Sequence, residues 1–360
     1  MQARRVVFTG KGEVEIQPFE IAKPASDQVL IKTLYTAISP GTEKAMLLAE
    51  PGTITATRGF PFHPGYSSVG QVIEIGSDVK HFRVGQHVAT MQSHVSHMLL
   101  PETVGPGLAP LKYRDQFRSP IAPTAPFVPL HYIWPLMDGL SEAQLKASSA
   151  MTITSVGITG ARYAKIDIGE SVLVLGLGPV GLIAGWGAKM AGGFPVLGVD
   201  PVASRRKTAQ EFGFDAVYAS ADEAKDGHPL MAGKSPTVVI EATGRPDAIP
   251  LAFKLAAQNG RVVLLGSTRG LTKEVDFYAD VHRKGLTVIG AQVLSRPIHE
   301  STAGRWTAWD EDSLVLRLIA GGRLDLSAFG AAEFPADRAA DAYKLIQESA
   351  ETLGVVLNWT

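Results

Sequence analysis

The chain has 360 residues, with a hydrophobic fraction of 45%, a charged fraction of 19% and a formal net charge of −1. This is a globular composition at a length suited to two domains, and the near-neutral charge excludes a general nucleic-acid or membrane-surface binder. Cysteine is absent, which excludes a disulfide framework, a thiol nucleophile, an iron–sulfur cluster and any zinc site with thiolate ligands.

The N-terminus carries Arg4 and Arg5 but no apolar signal-peptide core. No apolar run reaches the roughly 18 residues of a membrane span. The expectation is a cytoplasmic protein. Residues 1–100 read as β-rich. Val29-Leu-Ile-Lys-Thr-Leu-Tyr35, Gly70-Gln-Val-Ile-Glu-Ile75 and Gln86-His-Val-Ala-Thr90 are short runs rich in β-branched residues. Gly65, Gly70, Gly76 and Gly85 punctuate them, which predicts a compact, barrel-like set of strands with tight turns. Residues 101–135 carry prolines at 101, 106, 110, 120, 123, 126, 129 and 135. Proline removes a donor and breaks helices, so this stretch reads as a long irregular excursion.

From residue 141 the rhythm becomes alternating strand and helix. Strands are predicted at Ser171–Leu175, Phe194–Asp200, Thr237–Ala242, Arg261–Gly266 and Leu286–Gly290. Helices are predicted at Gly181–Ala191, Ser204–Phe212 and Ile249–Ala257. Fully apolar strands alternating with helices predict a parallel sheet covered on both faces. Residues 296–360 add helical stretches near 312–320 and 336–350 and a last strand, Leu353–Leu357.

The sharpest local signal is Gly176-Leu-Gly-Pro-Val-Gly181, directly after an apolar strand and opening a helix. Gly176 permits the tight turn, Gly178 lets the backbone approach a pyrophosphate, and Gly181 lets the helix pack on the strand. Pro179 and Val180 begin the helix, whose N-terminus presents free N–H groups to phosphates. The next strand ends in Asp200, 24 residues after Gly176. An acid there accepts bonds from both ribose hydroxyls of NAD and repels a 2′-phosphate. Arg205 and Arg206 follow closely, and either keeps NADP open. Ala242 and Thr243 end another strand at the same edge of the expected sheet.

Taken together these pieces resemble the medium-chain dehydrogenase/reductase superfamily, the alcohol-dehydrogenase-like fold. The resemblance rests on Ser39-Pro-Gly-Thr-Glu43, Gly65-Tyr-Ser-Ser-Val-Gly70 continuing to Gly76, and Val84-Gly-Gln-His-Val88. Gly176–Gly181, Val239-Ile-Glu-Ala-Thr-Gly244, Gly260–Gly266 and Arg283–Gly290 complete it. It spans essentially the whole chain. It implies an α/β protein: a GroES-like β-rich catalytic domain of residues 1–152 and 296–360, and a Rossmann doubly wound cofactor domain of residues 153–295. It also implies that Gly266 and Ser267 face the nicotinamide, and that residues 286–291 pair across the axis of a homodimer.

Departures from the family pattern redirect the chemistry. Where zinc-dependent members carry a cysteine ligand, this chain has Pro40. The Gly-His-Glu motif corresponds to Gly65-Tyr66-Ser67, and the third ligand position is Met151. The structural zinc lobe, built on four cysteines, is absent too. The expectation is a zinc-independent member. A hydrogen-bonding side chain must then serve the substrate oxygen. Tyr66 stands where a ligand would point inward, and Thr42 matches a residue that relays the substrate proton in relatives. Glu43 matches a supporting acid. Gln92 lies in a segment that forms the pocket wall in relatives. His94 and His97 are three apart on an expected strand, so they face opposite ways and do not share a metal; either can line the substrate cleft, as can Met151.

Three functions follow. The first is a metal-free NAD(H) oxidoreductase acting on a secondary alcohol or ketone. The Ser-Pro-Gly-Thr-Glu form resembles members of pigment and secondary-metabolite pathways, including bacteriochlorophyllide dehydrogenases. The second is an enoyl or quinone reductase that adds hydride to a conjugated C=C, usually with NADPH. The third is a nucleotide-binding protein without catalysis. In each the partner is a small molecule, not nucleic acid or membrane.

Overall fold

The structure, a computed structural model, describes residues 1–105, 132–225, 229–231 and 233–360. The first strands are β1 (Gln2–Gly10), β2 (Glu13–Glu20), β3 (Gln28–Ile38), β4 (Ser68–Ile75), β5 (His87–Thr90), β6 (His97–Pro101) and β7 (Ile133–Pro135). They continue with β8 (Val172–Leu175), β9 (Val196–Val199), β10 (Ala216–Tyr218), β11 (Val238–Glu241), β12 (Arg261–Leu264), β13 (Thr287–Gly290), β14 (Ala332–Pro335) and β15 (Val355–Asn358). The helices are α1 (Thr42–Leu47), α2 (Ile54–Arg58), α3 (Glu142–Ser148), α4 (Met151–Tyr163) and α5 (Pro179–Met190). After them come α6 (Ala203–Glu211), α7 (Ala221–Lys225), α8 (Ala248–Leu255), α9 (Ala308–Ala320) and α10 (Ala339–Glu348).

Two units divide the chain. The first comprises Met1–Thr152, Pro297–Ser301 and Thr307–Thr360; the second comprises Ile153–Arg296 and Thr302–Trp306. Thus Arg296 and residues 302–306 leave the C-terminal return expected over 296–360. Within the second unit, Arg305 sits 3.7 Å over the Tyr163 ring, and Arg162 sits 3.7 Å over Trp306.

In the first unit, β1 and β2 form an antiparallel hairpin. A mixed sheet runs in the order β14-β15-β3-β4-β5-β7, with β6 also paired to β3. Its central strand, β3, buries Val29, Leu30 and Ile31. Val6, Phe8, Ile38, Leu47, Tyr343, Ile346 and Leu357 make one apolar core. The register matters for function. Ser68 lies opposite both Thr36 and Thr90, and Thr90 lies opposite Ile133. The residues just beyond these positions, Tyr66, Gln92 and Tyr132, therefore gather at one end of the sheet.

Two expectations change here. The residues from 91 to 96 form no continuous strand, and β6 begins only at His97, so the alternation argument does not apply to His94. The proline-rich excursion over 101–135 ends in a short strand, β7, whose Trp134 pairs with Ala89 of β5. Residues 106–131 lie outside the described residues.

In the second unit six parallel strands run in the order β10-β9-β8-β11-β12-β13. Numbered within the unit this is 3-2-1-4-5-6, the doubly wound nucleotide-binding topology, with its switch point between β8 and β11. Strands β8, β9 and β11 are buried at every position, as a sheet covered on both faces requires. Helix α4 packs closely on α5: a Cβ at Gly157 would fall 2.6 Å from the Ile183 side chain.

Candidate cofactor and proton-handling sites

On the second unit the glycine-rich turn follows β8 directly. Gly176 has φ +87°, a left-handed conformation that favours glycine. Gly178 caps α5 and Pro179 opens it, where a missing N–H is no loss. A Cβ at Gly181 would lie 1.9 Å from the Gly176 carbonyl oxygen, so no larger residue fits. Asp200 follows β9 and is 3% exposed. Its Oδ2 accepts the Leu177 N–H at 2.9 Å and its Oδ1 the Val202 N–H at 2.8 Å. The carboxylate therefore braces the turn after β8 against the end of β9.

The two arginines divide. Arg206 donates to the carbonyls of Asp200 and Pro201 at 2.7 and 2.9 Å, which commits it to the backbone. Arg205 Nη1 stands 3.5 Å from Asp200 Oδ2. At the end of β11, buried Glu241 accepts both the N–H and the hydroxyl of Thr243, and burial pushes its carboxyl above the usual range. The Gly266 N–H donates to the Glu241 carbonyl at 2.8 Å. A Cβ at Gly176 would meet Thr243, one at Gly181 would meet Ala242, and one at Gly244 would meet Ser267. The structure thus brings Gly176, Gly178, Pro179, Val180, Gly181, Asp200, Arg205, Ala242, Thr243, Gly266 and Ser267 together at the C-terminal edge of the parallel sheet. Glycine turns, a helix N-terminus and a strand-end acid fit a dinucleotide. Glu241 is a residue that sequence reasoning missed; an acid inside an apolar strand is its only sequence signal.

On the first unit Thr42 begins α1 and is half-buried, as are Tyr66 and Gln92. The Tyr66 carbonyl accepts the Thr152 hydroxyl at 2.9 Å, and the Thr152 N–H donates to Ser67 Oγ at 3.1 Å. These bonds tie the Tyr66 segment to the start of α4, where Met151 is fully buried. His94 is also fully buried, so it stands inside the fold rather than on an open cleft wall. Its Nε2 lies 2.9 Å from Glu43 Oε2. The Tyr343 hydroxyl donates to the same oxygen. Glu43 Oε1 accepts the Ser39 N–H at 2.8 Å. Burial and the adjoining Glu43 carboxylate push the Tyr343 phenol well above its ordinary range. His97 is half-buried and bonded to Ser96 Oγ at 3.1 Å; burial, Lys32 and Arg4 push its imidazole down.

Tyr343 was not anticipated from sequence. It stands 300 residues from Glu43, on a helix whose apolar stripe reads only as core.

The residues that the family resemblance places at the zinc-ligand positions are not a zinc donor set. Pro40 offers no side-chain donor atom, Tyr66 offers a phenol and Met151 a thioether, where zinc takes imidazole, thiolate or carboxylate. Among the described residues no group of three or more His, Asp or Glu converges as a metal site.

Comparison with known proteins accords with this geometry. The alcohol dehydrogenase GroES-like domain family matches residues 25–107, and the zinc-binding dehydrogenase family matches residues 179–308. Sorbitol dehydrogenase of Ovis aries is 27% identical over 285 residues, 72% of this chain and 74% of that protein. The 2-desacetyl-2-hydroxyethyl bacteriochlorophyllide A dehydrogenase of Cereibacter sphaeroides is 24% identical over 360 residues, 100% of this chain and 99% of that one. An alcohol dehydrogenase of Escherichia coli CFT073, solved with NADH, has the same fold, with a TM-score of 0.75 at 16% identity and 99% coverage of each chain.

Proposed function

The chain belongs to the medium-chain dehydrogenase/reductase superfamily, and on that premise we propose that it is a zinc-independent, NAD(H)-linked oxidoreductase interconverting a secondary alcohol and its ketone. The observation that carries the cofactor choice is Asp200. It stands at the strand end, and both its carboxylate oxygens accept backbone N–H bonds that brace it against the glycine turn. It suits ribose hydroxyls and disfavours a 2′-phosphate. The metal-free reading is supported by the donor set at Pro40, Tyr66 and Met151.

When bound, the nicotinamide supplies or accepts the hydride. The chain must do the rest. The N-terminus of α5 binds the pyrophosphate, and Asp200 orients the adenosine ribose. Tyr66 gives its phenolic proton to the carbonyl oxygen as that carbon is reduced, and its phenolate takes the alcohol proton in the reverse direction. Thr42 relays that proton toward solvent. Half-buried Gln92 helps shape the pocket, while Met151, as fully buried as His94, belongs to the fold at the start of α4. Tyr66→Phe tests this assignment. Turnover of a ketone should fall about 100-fold, at the low end for loss of a general acid, while NADH binding stays native. Unchanged turnover would make Tyr66 a space-filling residue.

Arg205, 3.5 Å from Asp200, favours a second reading: an NADPH-linked reductase of conjugated C=C bonds. A strong preference for NADPH over NADH would select it. Binding of NADH without turnover of any ketone, alcohol or enone would select a non-catalytic nucleotide-binding protein. We further propose a cytoplasmic homodimer. Its support is β13, the edge strand of the parallel sheet, with exposed Thr287 and Val288.

A further inference from the structure

We propose that His94 and Tyr343, through their shared hold on Glu43, are positioning residues for the two proton-handling groups Thr42 and Tyr66. This rests on the roles given above to Thr42 and Tyr66. Three polar side chains from three separate segments meet at one carboxylate: Glu43 from α1, His94 from the bend before β6, and Tyr343 from α10. All three are fully buried. Glu43 Oε2 takes both the His94 ring nitrogen, at 2.9 Å, and the Tyr343 hydroxyl, while Oε1 takes the Ser39 N–H at 2.8 Å. A buried carboxylate that accepts three donors holds each donor in place, because losing one leaves charge uncompensated. Donation to a carboxylate places the imidazole proton on Nε2.

Each end of this network adjoins a proton-handling candidate. Glu43 directly follows Thr42 in α1. His94 packs under Gly65, the residue before Tyr66: a Cβ on Gly65 would fall 2.6 Å from the His94 backbone nitrogen and 2.8 Å from its ring. The His94 N–H also donates to the Pro64 carbonyl at 2.9 Å. The 64–66 segment is thus held by the backbone and the ring of one histidine, whose own orientation is set by Glu43. Tyr343 lies edge-on to His94, with ring centroids 6.3 Å apart. The network therefore fixes the segments carrying Thr42 and Tyr66 relative to one another.

The test compares the full-length wild type with Tyr343→Phe and His94→Gln. Tyr35→Phe serves as the matched control. Tyr35 is also a buried phenol, bonded to Glu142 at 2.9 Å, but it takes no part in the network. Tyrosine rings are labelled with ¹³C, and the Tyr66 resonance is assigned by its loss in Tyr66→Phe. It should move in Tyr343→Phe and His94→Gln and stay in place in Tyr35→Phe. With NADH and a ketone, kcat should fall about 10- to 100-fold in the two network variants, with the KM for NADH within about twofold of wild type. Tyr66 resonances in the network variants that match the control would overturn the proposal, as would an unchanged kcat in an active enzyme. If the wild type turns over no substrate, the dehydrogenase reading falls, and the Tyr66 resonance alone decides the positioning role.

Discussion

Asp200 uses both carboxylate oxygens to hold backbone N–H groups, one in the glycine turn and one past β9. Its removal should therefore loosen the turn as well as remove a ribose partner. Asp200→Ala should weaken NADH binding by about 10- to 100-fold, or about 1.4 to 2.8 kcal/mol, read by fluorescence titration. Native affinity would show that the carboxylate serves the fold alone. Glu241 makes a different prediction. Burial raises its folded pKa above the ordinary value of 4.5. Between those two values the folded chain keeps a proton that the unfolded chain has released, so stability falls as pH rises through that window. Glu241→Gln lacks this dependence. In urea melts at a series of pH values, wild type should lose stability relative to the variant as pH climbs above 4.5. Parallel curves would contradict the assignment. The residue types at Tyr66, Thr42 and Asp200 could be weighed from sequence because each stands in a recognisable motif. His94 could not. Its role depends on a bend that ends the strand pattern and on a carboxylate far away in the chain.

In the proposed function, cofactor binding depends on the glycine turn and α5 as one element. A methyl group at Gly181 would sit 1.9 Å from the Gly176 oxygen, backbone against backbone, with no flexible side chain to yield. Gly181→Ala should shift the helix start and destabilise the second unit by about 1–3 kcal/mol, with NADH binding lost. Thermal melts and titration read both. A variant with native affinity would mean that the turn adapts. Elements of this unit were legible because apolar strands, a glycine turn and short helices follow in strict order. Helix α4 is not legible in the sequence. Its run of Thr152, Thr154, Ser155, Gly157, Thr159 and Gly160 has poor helix formers, and it folds as a helix because its small residues let it lie against α5. The β1–β2 hairpin leaves a weak sequence signal too, since its second strand has no fully buried position.

At the scale of the molecule, the C-terminal return completes the first unit. β15 buries Val355, Val356 and Leu357 and pairs with both β14 and β3, and α10 carries Tyr343 to Glu43. A chain ending at Gly354 should lose the calorimetric transition of the first unit; a native melt would contradict this role for β15. The two-domain plan was readable from the order of motifs. The Glu43–His94–Tyr343 network was not, since contacts between residues 43 and 343 leave no periodic trace. The central claim is that this chain performs nicotinamide-linked carbonyl chemistry with side chains in place of zinc. The most direct test is NADH oxidation against a panel of ketones by protein dialysed against chelator, with zinc assayed in the same sample. The account predicts that turnover persists with zinc far below one per chain. Turnover that disappears on chelation and returns with added zinc would contradict it.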